Sequence, residues 1–189
     1  MWLGCPLALP VQAFACPTAA DMERGVVFYL DDGSTQVHRS APDGFVIVDV
    51  TYDTGERAQN VFHYGVFIQS LTPIEDGVVR MSDAWTYAYR SKPPFPEPNS
   101  TGQLVAATGS RDAGYSDETQ KFVWGAPTMM RLGSCRYQVI QGQFHYDGSN
   151  YQAEETINFL PELGTGILTR YSDESGATDT YKVDRIVAR

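Results

Sequence analysis

The residues able to do chemistry in this chain are scattered: three histidines, two acids set inside apolar rows, and a row of aromatics. His38, His63 and His145 each fall in a stretch that reads as a strand, without the close spacing that metal ligands use. No metal site is assigned to them. Asp49 interrupts a run containing Phe45 and Ile47, and Glu155 lies between Ala153 and Ile157. A carboxyl group facing an apolar interior has its pKa raised by desolvation, a property general acids exploit. The simpler expectation is that the row is open to water there, or that an Arg or Tyr answers the group.

Trp85, Tyr87 and Tyr89 alternate along one face of a strand, and Phe62 and Tyr64 open a second apolar row that continues through Val66 and Ile68. Aligned aromatics stack on sugars or line a pocket for an apolar ligand, with polar tips fixing its orientation. They equally serve as core or cross-strand packing. These five residues are the candidate ligand contacts. The turn acids Asp31-Asp32 and Asp173-Glu174 lack the alternating pattern of a calcium loop and read as solvated hairpin turns. There is no Gly-x-Ser-x-Gly elbow, His-Glu-x-x-His, phosphate loop or Cys-x-x-Cys, so no catalytic residue and no cofactor is assigned.

The elements that must position these residues are almost all strands. Thr18 can cap a short helix over Thr18–Arg24, with Asp21 three residues on and Gly25 to close it. After Gly25, stretches rich in Val, Ile, Thr, Tyr and Phe alternate with short Asp/Gly turns. Gly25–Leu30 and Thr35–Arg39 flank the first turn, Phe45–Tyr52 and Arg57–Ser70 the next. Later come Arg136–Tyr146 and Tyr151–Phe159, then Gly166–Ser172 and Ala177–Val187. Successive hairpins give an antiparallel meander, so the expected fold is mainly β: a curved sheet or open barrel with one short N-terminal helix. Phe45–Tyr52 is apolar on both faces up to Val50 apart from Asp49, which places it centrally in the sheet. Apolar parity switches between Val139 and Phe144, so a bulge or bend is expected near Gly142.

Four prolines between Pro93 and Pro98 forbid a central strand across 91–99 and favour extended, polyproline-like backbone. This segment is expected to be a loop within a single β-rich domain spanning 16–189. The closing stretch, Thr156 to Leu160, then Pro161-Glu162-Leu163-Gly164 and two final hairpin strands, resembles the ending of several bacterial envelope β-proteins, lipid-carrier-like half-barrels among them. That resemblance implies an apolar cavity under a curved sheet; it identifies no family.

An uncharged, largely apolar run ends in Ala13-Phe14-Ala15-Cys16, the shape of a signal-peptidase site, so residues 1–15 are expected to be a cleaved signal peptide. No Lys or Arg precedes the run, a departure from the usual basic opening. Removal of the leader takes Cys5 with it and leaves Cys16 and Cys135, which pair as one disulfide in an oxidising compartment. Lipidation of Cys16 is the competing fate and would leave Cys135 alone. The expected location is periplasmic or secreted. A net charge of −9, all of it after the leader, argues against nucleic acid and anionic membrane surfaces as partners. The expectation is therefore an exported, non-catalytic β-sheet protein binding a small apolar molecule or a partner chain. The alternative is a structural or assembly factor of the cell envelope, acting through sheet edges or the Pro-rich loop.

Overall fold

The computed structural model describes residues 15–189, so the expected signal peptide and Cys5 lie almost wholly outside the described residues. The first described element is a 3-10 turn, Ala19–Glu23, shorter than the helix the cap predicts. Thr18 donates from its backbone N–H and its hydroxyl to Asp21 Oδ2, at 2.9 and 3.0 Å. That exchange satisfies donors a helix start leaves open, but Gly25 follows too soon for α-helical bonds to propagate.

The remainder is one antiparallel sheet of fourteen strands, not closed. Its first half runs β1 (Val26–Leu30), β2 (Thr35–Ser40), β3 (Phe45–Thr51), β4 (Arg57–His63) and β5 (Phe67–Glu75), with a two-residue β6 (Val78–Val79) on the flank of β5. Its second half runs β7 (Trp85–Tyr89), β8 (Thr101–Ser110), β9 (Gly114–Leu132), β10 (Cys135–Asp147), β11 (Gln152–Leu160) and β12 (Thr165–Asp173). The turns do what their residues suggest. In the first, Asp32 Oδ1 accepts from the Ser34 N–H and hydroxyl while Gly33 takes a φ of +90°.

Two expected strands are divided. Arg57–Ser70 breaks at Tyr64-Gly65, where both residues adopt positive φ and form a tight turn between β4 and β5. Ala177–Val187 becomes β13 (Thr178–Thr180) and β14 (Val183–Ala188), which lie at opposite ends of the sheet order. β13 pairs with β12, whereas β14 returns to pair with β1. Tyr181 and Lys182 alone span the gap, so the sheet has to curl until its two edges nearly meet. The Tyr181 N–H donates to Thr169 O of β12 at 2.9 Å, and Lys182 O accepts from the Asp31 N–H of the β1–β2 turn at 2.9 Å. As expected, β3 is an inner strand, and the β9–β10 register slips between Ile140 and Gly142.

The interior holds two apolar clusters. One gathers Met22 of the 3-10 turn, Phe28 of β1, Val48 of β3, Leu132 and Tyr137 of the β9–β10 tip and Leu160 of β11. The other gathers Phe67, Leu104, Phe122, Trp124, Phe144 and Phe159. Cys16 and Cys135 form a disulfide with their Cα atoms 5.5 Å apart, and Tyr137 donates its hydroxyl to Pro17 O at 2.9 Å beside it. The Pro-rich loop is not a free tether: Pro93 and Pro96 are buried, and the Phe95 ring stands edge-on to Phe159 and Tyr64 at 5.4 and 5.3 Å.

Candidate functional site

Between the two clusters the curled sheet leaves a cavity of about 270 Å³. One wall comes from inward residues of β3 to β5, including Val48, Val50, Phe62 and Leu71; the other comes from Ile157 and Leu168 on β11 and β12. Alternation along the strands aims these side chains inward, and each wall carries a bulge at this level. The register shifts between Val61 and Phe62 on one side, and between Thr156 and Ile157 on the other. Bulges bend a strand locally, which keeps the walls from collapsing together here. At the closed end the two sides meet through the backbone, where the Gly166 N–H donates to Gly65 O at 3.1 Å. Tyr52 also lines the cavity and is 44 % exposed, so the space opens to solvent at the β3–β4 end.

Polar groups enter this apolar space sparingly. His38 is buried against Phe28, ring centroids 4.4 Å apart, with Nδ1 2.8 Å from Thr165 Oγ1 and Nε2 3.0 Å from Gln36 Oε1. Burial pulls its pKa down to about 3, so it stays neutral. The Asn60 Oδ1 lines the same cavity and is buried without a hydrogen-bond partner. Glu155 also lines it, accepting a 2.6 Å hydrogen bond from the Tyr146 hydroxyl. Burial pushes the Glu155 carboxyl up to about 7; the Tyr146 bond opposes that rise and the negative charge of Glu118 adds to it. Glu118 and Gln120 on β9 are both buried. Gln120 donates its amide to Glu118 Oε1 at 2.6 Å and accepts from the Tyr89 hydroxyl at 3.2 Å, while Glu118 Oε2 has no partner. Burial raises the Glu118 pKa against the Gln120 bond.

Of the five aromatic candidates, only Phe62 lines the cavity. Tyr87 is buried and Tyr89 half-buried; their hydroxyls are held protonated mainly by burial and feel the charges of Glu118 and Glu155. They belong to the acidic side of the interior and not to the cavity wall. Trp85 sits at a rim, 36 % exposed, donating Nε1 to Thr108 Oγ1 at 2.7 Å. Tyr64 is turned out by its φ of +54°, its N–H given to Gly44 O at 2.7 Å.

The two acids set in apolar rows part company. Asp49 is answered from outside by Arg39 at 2.7 Å and Gln59 at 2.9 Å. Partial burial would raise its pKa, but those two bonds and the charges of Arg39 and Arg57 bring it below the ordinary value. Glu155 is the one that faces inward, with a tyrosine as its partner. His63 donates from Nε2 to Gln69 Oε1 at 3.1 Å, and His145 lies on the β10 surface 3.8 Å from Glu154. Among the described residues no group of three His, Cys, Asp or Glu side chains is arranged to hold a metal ion.

Glu118 and Gln120 were open to sequence reasoning, since they continue the inward parity of Phe122 and Trp124 along β9. Their polarity masks the pattern. No protein-family model, no curated protein and no solved structure matches this chain.

Proposed function

We propose that this is an exported, non-catalytic binding protein that holds a small, largely apolar ligand in the cavity between the two halves of its curled sheet. The observation that carries the reading is the apolar cavity itself, opening to solvent beside Tyr52. Its volume suits a ligand at the small end of the range that protein pockets accept. The disulfide is compatible with an extracellular or periplasmic setting, and no described helix is long and apolar enough to cross a membrane. Native mass spectrometry of protein purified from its own envelope tests the proposal. A bound small molecule is expected, and Leu71→Trp, which fills the cavity, should expel it. Uniformly bare protein, together with no thermal shift from any apolar compound, would remove this function.

A second reading, an envelope structural or assembly factor, draws support from one edge. β8 covers β9 only as far as Val123, so the stretch from Ala126 to Leu132 pairs with β10 alone and leaves Met129 57 % exposed. Pro127 within that stretch limits strand addition. The packed-down Pro-rich loop supports this reading less than a free one would.

A further inference from the structure

The interior contains acids with nothing positive to answer them. None of the ion pairs among the described residues involves Glu118 or Glu155. Glu155 carries the only formal charge among the described residues that line the cavity, because His38 is held neutral. Two independent acceptors are left idle nearby. Asn60 Oδ1 is buried in the cavity wall without a donor, and Glu118, only 1 % exposed, leaves Oε2 without one. A buried acceptor without a donor is unfavourable, so a cavity that sets one beside a buried acid is complementary to a donor-rich group. Lys121 and Arg170 border a second cleft that Glu155 also lines, but neither reaches the cavity and neither pairs with the carboxylate. Tyr146 faces it from β10, Glu118 from β9, Tyr87 and Tyr89 from β7, Tyr171 from β12 and Tyr181 from the β13–β14 crossing.

We infer that the ligand is a small primary amine on an apolar body, its ammonium set against the Glu155 carboxylate and its hydrocarbon along Val48, Val50, Ile68 and Leu168. This rests on the ligand-binding reading above and narrows it to one chemical class. An ammonium group is all donor and carries the missing charge, and the rings of the neighbouring tyrosines tolerate a cation at their faces. A carboxylate ligand would meet Glu155 as a like charge. An alcohol would supply a donor but no charge.

Calorimetric titration of the full chain with n-octylammonium, 1-octanol and octanoate separates these cases. At pH 8 the ammonium is expected to bind about tenfold more tightly than the alcohol, as charge-assisted hydrogen bonding to a buried acid requires, with the carboxylate weakest. Ammonium affinity should rise about tenfold from pH 6 to pH 8 as Glu155 ionises, while alcohol affinity stays flat. Glu155→Gln should erase the preference for the amine and keep the alcohol. The pH series on the unaltered protein gives the same answer should that variant fold poorly. Binding of the alcohol or carboxylate as tightly as the ammonium overturns the charge assignment and leaves the cavity a ligand site. Binding of none of the three overturns both.

Discussion

Around Phe28 and Leu160 the interior is hydrocarbon fastened by a disulfide, and its few polar atoms are answered. His38 uses both ring nitrogens, and Tyr137 reaches Pro17. Around Trp124 and Phe144 the same sheet packs ring against ring, then turns acidic at Glu118 and Glu155, leaving Glu118 Oε2 and Trp124 Nε1 without partners. Both halves are antiparallel strands joined by short turns, so backbone architecture does not separate them. What separates them is where stability was left incomplete. The first region is a scaffold and the second holds the buried acids; the cavity lies along their boundary, borrowing Val48 and Val50 from one and Ile157 and Val66 from the other, with the unpartnered Asn60 Oδ1 among its lining residues.

The sharpest way to break this contrast is at the sulfur bridge. Cys135→Ser releases a link spanning 119 residues and should lower stability by roughly 4–5 kcal/mol on the chain-entropy account, read as a shift in urea midpoint. An unmoved midpoint would mean the first half does not depend on its staple.

Acid should next attack the same half. The His38 pKa falls from 6.5 to about 3 on folding, so the stability it contributes is whole above pH 6.5 and is lost as pH drops toward 3. The loss is on the order of 5 kcal/mol, and His38→Gln should flatten that limb of the stability–pH curve. Glu155 works in the opposite sense. Its folded pKa of about 7 lies above its unfolded value of 4.5, so its contribution is full below pH 4.5 and is lost as pH rises through 7. Glu155→Gln should therefore be more stable than the parent at pH 8, by about 3 kcal/mol at most, in urea titrations without ligand. Between pH 4.5 and 6.5 the two slopes oppose one another; equal curves for parent and both variants across the whole range would dissolve the distinction.

Smaller effects probe the boundary and the outside. A Cβ on Gly65, at φ +65°, would come within 2.7 Å of Gly166 N and Thr165 Cα, so Gly65→Ala should cost about 2 kcal/mol and weaken ligand retention with it. Asp49→Asn, on the outer face, should change stability by less than about 1 kcal/mol in urea titrations, because partly exposed ion pairs contribute little.

Much of the scaffold could be read from residue order alone. Asp/Gly turns placed the hairpins, the parity change after Val139 placed the irregularity before Gly142, and the cysteines left after the expected leader placed the bridge. The turn at Tyr64-Gly65 escaped because apolar residues on both sides continue an unbroken strand pattern, and Tyr is a poor advertisement for positive φ. The pairing of β14 with β1 escaped for a different reason: hairpin logic is local, and this contact joins segments from opposite ends of the sheet's chain order. At the site, Phe62 and Glu155 stood out as an aromatic and a misplaced acid. Glu118, Gln120 and Asn60 did not, since a polar residue in a strand reads as solvent-facing until the tertiary fold shows otherwise.

The crossing from β13 to β14 has a consequence for biosynthesis. A ribosome delivers β1 before any other strand of the sheet and β14 after every other, so the flank of Val26–Leu30 stays bare until Val183–Ala188 emerges. Completion of that edge is thus deferred until β14 is made, and until then the newborn sheet remains an unfinished ribbon, open to threading or capture.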